Sequence, residues 1–131
     1  MLANVGAPRR DAPPGPAPLE ESAALFRELG DAWGLGTALT GLGARALSEG
    51  DLQAARAYLE EALVRRREAD DQLGVAWVLN NLGALARHQG EYRRAAALLE
   101  EGRALAHDLG YPATVAYALA ELGHTALAAA V

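Results

Sequence analysis

Apolar and polar positions follow a helical period along most of the chain. Over 52–69, Leu52, Ala55, Leu59, Ala62 and Leu63 fall three or four apart and form one stripe. That spacing puts side chains on a single helix face. Over 73–89, Val75, Val78, Leu79, Leu82, Leu85 and Ala86 form a broader stripe. A helix apolar over so wide an arc touches neighbours on more than one side, as the inner helix of a layered array does. Gly30, Gly50, Gly90 and Gly110 stand just past the ends of such stretches, and Asp51 stands at a start. Glycine accepts the left-handed conformation that closes a helix, and an Asp carboxylate accepts from the free N–H groups that open one. The pattern predicts helices over about 18–29, 33–49, 52–69, 73–89 and 92–109, with a sixth from Pro112 to the end. Connections this short make successive helices antiparallel neighbours.

Residues 1–17 break the pattern. Pro8, Pro13, Pro14 and Pro16 stand there with Gly6 and Gly15. Proline removes backbone donors and disfavours helix in the residue before it. The segment reads as an extended tail or linker, which leaves 18–131 as the folded domain.

A longer period lies over the helical one. Leu-Gly recurs at 42–43, 82–83 and 122–123, always forty residues apart. Gly50 answers to Gly90 and Ala55 to Ala95, and Leu59-Glu60-Glu61 answers to Leu99-Glu100-Glu101 and to Leu19-Glu20-Glu21. A fixed period of this length means a stack of similar units, which offers a surface for binding in place of a single core. The fold class is therefore all-α, an α-solenoid of about six helices. Gly43, Gly83 and Gly123 mark the places where paired helices approach most closely. A large side chain there overpacks by about 1–3 kcal/mol.

Composition agrees with this reading. The chain of 131 residues is 51% hydrophobic but 5% aromatic, and its apolar content is mostly Ala and Leu. All 12 basic residues are Arg, and Ile is absent. Ala, Leu, Arg and Glu are strong helix formers. The missing Lys and Ile suggest a GC-rich bacterial genome. A net charge of −5 argues against a nucleic-acid binder. With no Cys there is neither a disulfide nor a thiolate metal site. No apolar run approaches the roughly 18 residues of a membrane span. The N-terminus lacks the order of a signal peptide, so a cytoplasmic location is expected.

Nothing in the sequence asks for catalysis. Arg65-Arg66-Arg67 and Arg93-Arg94 stand beside Glu60, Glu61, Glu68 and Glu91. They read as a solvated face with helical ion pairs worth about 0.2–0.5 kcal/mol each. The Glu pairs recur with the helix register, which marks architecture and not acid–base chemistry. Ser22 and Ser48 have no His in the same segment, and no Gly-rich loop follows a strand. His88 and His124 come without a carboxylate to complete a metal site. No catalytic residue, metal or cofactor is expected, and the protein reads as no enzyme.

The forty-residue units resemble tetratricopeptide (TPR) repeats. Leu79, Leu82, Gly83, Ala86 and Gly90, then Tyr92, Ala95, Leu99 and Gly102, match the motif in order. Leu39, Leu42, Gly43, Ala46 and Gly50, then Leu52, Ala55, Leu59 and Ala62, match it again. Leu119, Leu122, Gly123 and Ala126 begin a third copy, so the resemblance covers roughly 19–131. The period is forty and not the usual thirty-four. Ala46, Ala86 and Ala126 stand where an aromatic is usual, and Arg67 and His107 where a proline is. The long period is similar to arrays in bacterial multidomain transcriptional regulators.

The resemblance implies a concave groove, lined by the first helix of each pair, that holds a protein or peptide partner. Its lining would be Thr37, Thr40, Ala44, Leu47 and Ser48 from the second helix. The fourth would add Trp77, Asn80, Asn81, Arg87 and His88, and the sixth Tyr117, Glu121 and His124. Asn80 and Asn81 would bond a peptide backbone, Arg87 a carboxylate, and Trp77 would supply an apolar anchor. The expected function is a non-catalytic protein- or peptide-binding scaffold. Self-association through exposed terminal helices and a sensor arm of a transcriptional regulator stand as alternatives. The sixth helix, with almost no charge after His124, would leave Val115, Leu119, Leu122 or Leu127 partly uncovered, a face for a second copy.

Overall fold

Every twenty residues the chain reverses through the same joint. Gly30, Gly50, Gly90 and Gly110 take φ between +67° and +80° there, and Asp70 takes +54°. The next residue donates its N–H back to the carbonyl five residues earlier, Asp31 to Phe26 at 3.0 Å and Asp71 to Arg66 at 2.9 Å. That same residue opens the following helix. Asp31, Asp51 and Asp71 accept from the N–H groups of Gly34, Ala54 and Gly74 at 3.0, 3.1 and 3.0 Å. Glu91 and Tyr111 hold the position without a side-chain bond. One residue thus closes one helix and caps the next, which makes the connection as short as an antiparallel pair allows.

The computed structural model describes residues 18–131. The proline-rich segment read as a tail or linker lies outside the described residues. Among those described, six helices follow one another: α1 Pro18–Leu29, α2 Ala32–Ser48, α3 Leu52–Glu68, α4 Gln72–His88, α5 Tyr92–Leu109 and α6 Pro112–Ala129. The boundaries agree with the apolar pattern to within two residues, the largest difference being the end of α6. The helices α2 and α4 begin one residue early because Asp31 and Asp71 cap them directly.

The helices stand in two layers. The backbones of α2 and α4, and of α4 and α6, touch. Those of α1, α3 and α5 stay apart, joined by long side chains such as Arg27–Glu61 at 2.7 Å and Arg67–Glu101 at 3.9 Å. The Arg27 guanidinium holds the Glu61 carboxyl below its ordinary range. Closer spacing on one side curves the stack, so α2, α4 and α6 form its inner face. Between the layers lie Leu39, Leu42, Leu59, Leu79, Leu85 and Leu99, all essentially without exposure.

The Leu-Gly beat packs as expected in two units and not in the third. A Cβ on Gly43 would stand 2.6 Å from Leu59, and one on Gly83 would stand 2.5 Å from Leu99. Gly123 has nothing within 4 Å, because among the described residues no helix covers that side of α6.

The basic cluster also departs from expectation. Arg65 and Arg67 face outward toward Glu68 and Glu101, but Arg66 turns inward and is 9% exposed. Its Nε donates to the Thr40 hydroxyl at 3.0 Å and its Nη1 to the Asp71 carboxylate at 2.5 Å. Its side chain fills the space left by Gly36 and Gly74. In the equivalent place one unit earlier, Phe26 lies against Gly34; one unit later stands Ala106.

Candidate functional site

Helices α2, α4 and α6 repeat in register, so equivalent positions form rows across the inner face. One row runs Thr37, Trp77, Tyr117. All three are exposed, Trp77 by 39% and Tyr117 by 36%. The two rings lie 5.9 Å apart, tilted by 47°, an arrangement aromatic quadrupoles favour. Each ring restrains the other while both keep a face open to solvent. Burial first, and then the Glu121 carboxylate, raise the Tyr117 phenol above its ordinary value, with Arg87 opposing.

Trp33, 58% exposed, lies one turn before Thr37 and extends the row; the Thr37 hydroxyl donates to the Trp33 carbonyl at 3.0 Å. Sequence reasoning passed over Trp33, although its spacing of four from Thr37 puts both on one face.

A second row runs Gly41, Asn81, Glu121. Asn81 is half-buried, and its side chain makes no hydrogen bond among the described residues. Glu121 accepts from Arg87 Nε at 3.3 Å and Nη2 at 3.2 Å. This corrects the role expected of Arg87. Its guanidinium ties α4 to α6, with the two side chains only 22% and 14% exposed. A ligand carboxylate would have to displace a partner the fold already holds in place.

Two further expectations change. Asn80 does not line the groove: it is fully buried, and its amide nitrogen donates to the Thr114 carbonyl at 3.5 Å. Neighbours on a helix differ by about 100° in direction, so Asn80 faces the α5–α6 seam while Asn81 points elsewhere and stays half-buried. Thr40 is half-buried and committed twice, donating to the Gly36 carbonyl at 2.7 Å and accepting from Arg66. His88 and His124 are both exposed. Among the described residues no group of three or more His, Asp or Glu side chains is arranged to hold a metal. A hollow of about 430 Å³ lies elsewhere, lined by His107, Tyr111, Pro112, Val115, Ala116 and Leu119 at the α5–α6 end.

Two complete helix pairs, with their glycine notches filled, thus lie between α2 and α5. The tetratricopeptide repeat family model matches residues 34–108, which is more than half the chain. The chain belongs to the tetratricopeptide repeat family. No curated protein matches it. TPR arrays generally mediate protein–protein interaction and form a non-catalytic interaction fold. The match runs from the first turn of α2 to the last turn of α5, while α1 and α6 continue the same TPR register outside it. Among the described residues no helix is long and apolar enough to cross a membrane.

Proposed function

We propose that the inner face of this TPR array binds an extended, uncharged segment of a partner protein. An aromatic or branched aliphatic side chain of the partner rests on Trp77 and Tyr117, and its backbone pairs with the Asn81 amide. The observation that carries this reading is the exposed aromatic pair, ring to ring at 5.9 Å, beside an uncommitted amide. Large aromatic side chains already held in place lose little freedom on binding and dominate interface energetics. The Arg87–Glu121 pairing leaves no uncompensated cation in the middle of the face, which favours an uncharged segment over an acidic tail. The setting we assign is a cytoplasmic regulatory or assembly complex, on the strength of the long-period arrays the sequence resembles.

Peptides selected from a random displayed library against the full chain provide the test, with affinities read by fluorescence anisotropy. Trp77→Ala should weaken binding about 30-fold, the scale of an interface hot spot. Asn81→Ala should weaken it several-fold, and Val64→Ala on α3 should leave it unchanged. Circular dichroism should be the same for all three. Peptides that bind Trp77→Ala as tightly as the parent overturn the assignment.

A further inference from the structure

Among the described residues, the two ends of the stack are uncovered at matching positions. In the inner pairs, Leu59 fills the notch at Gly43 and Leu99 the notch at Gly83. Helix α6 repeats α2 and α4, and its notch at Gly123 is empty. Leu39 and Leu79 are buried, but their equivalent Leu119 is 53% exposed. Ala46 and Ala86 are buried, but Ala126 is exposed. Among the described residues no outer-layer helix covers this side of α6.

Helix α1 is an outer-layer helix with no inner partner among the described residues. Leu59 and Leu99 are fully buried, while the equivalent Leu19 is half-buried. Leu105 helps line the hollow over Gln72 and Val75. The equivalent residue of α1 is Leu25, which is 57% exposed. The matching hollow at the other end, over Pro112 and Val115, holds about 430 Å³; His107 of α5 lines it, and no counterpart of Leu105 does.

Charge follows the same register. The outer helices are joined by Arg27–Glu61 and Arg67–Glu101, each pair thirty-four residues apart. His107 stands where Arg27 and Arg67 stand, and Glu21 where Glu61 and Glu101 stand. Both His107 and Glu21 are exposed.

The geometry points to head-to-tail association, in which α1 of a second copy docks on α6 of the first as α5 docks on α4. The second copy's Leu19 enters the notch at Gly123, its Leu25 fills the hollow over Pro112 and Val115, and its Glu21 meets His107. The contact is heterologous, so each added copy presents a fresh α6 and growth does not close at a dimer.

Sedimentation velocity of the 131-residue chain over a wide concentration range is the test. The average mass should rise continuously past the dimer. Gly123→Leu fills the notch and Leu25→Glu charges the knob; each alone should stay monomeric with unchanged helix content. Mixed, the two variants should form a heterodimer and stop, because one intact α1 face meets one intact α6 face. A parent that stays monomeric at every concentration overturns the inference. So does a closed dimer that survives Leu25→Glu, which would be a symmetric α6–α6 contact, or a mixture that stays monomeric.

Discussion

Asn80 is fully buried, and its Oδ1 finds no hydrogen-bond partner among the described residues. A buried amide oxygen in that state costs about 1–3 kcal/mol. Its room comes from Gly102, where a Cβ would stand 2.4 Å from that oxygen. One repeat earlier the same two positions hold Thr40 and Ala62. The two pairs are alternative fillings of one space, a large residue with glycine or a smaller one with alanine. Gly102→Ala should therefore destabilise by about 1–3 kcal/mol through overpacking. Adding Asn80→Thr should recover most of that loss, a non-additivity expected only of residues in contact. Urea unfolding of both single variants and the double measures it, and simple additivity would show that the pair does not share the space. The residue type alone misled the sequence reading, since Asn80 and Asn81 are chemically identical. The sign that separates them is Gly102, a glycine in an outer helix where the register of the first repeat has Ala62.

At the scale of the helices, the sequence was legible because each joint is local. The left-handed residue and the cap are adjacent, and neither depends on tertiary context. The one joint built without glycine is at Asp70, with φ +54°. A residue with a Cβ pays roughly 1 kcal/mol more than glycine there, softened for Asp by its short polar side chain. Asp70→Gly should then raise the thermal midpoint without changing helix content, as read by circular dichroism. An unchanged or lower midpoint would mean that the exposed Asp70 carboxylate contributes more than the strain it carries. What the elements concealed was the direction of Arg66. Three consecutive arginines read as solvent-facing, and helix phase alone turns the middle one toward α2 and α4. The glycines at Gly36 and Gly74 are the local record of that turn, because they leave the space its side chain fills.

Across the whole molecule, cover is uneven. The backbone of α4 lies close to those of α2, α3, α5 and α6, whereas among the described residues the backbone of α6 nears only α4 and α5, and that of α1 only α2. Repeat stacks share stability between neighbours, so protection should fall from the middle toward both ends. Amide hydrogen exchange at low concentration should show α4 slowest and α1 and α6 fastest. The same imbalance gives one substitution opposite signs at equivalent places. Gly83→Ala sets a Cβ 2.5 Å from the Leu99 side chain and should cost about 1–3 kcal/mol. Gly123→Ala meets nothing within 4 Å and should slow exchange in α6 by the roughly 0.5–1 kcal/mol that alanine gains over glycine inside a helix. Raising the concentration then separates two arrangements of the open ends. Head-to-tail docking protects α1 and α6 together, because each contact uses one of each. A symmetric contact between two copies of α6 protects α6 and leaves α1 exchanging as before.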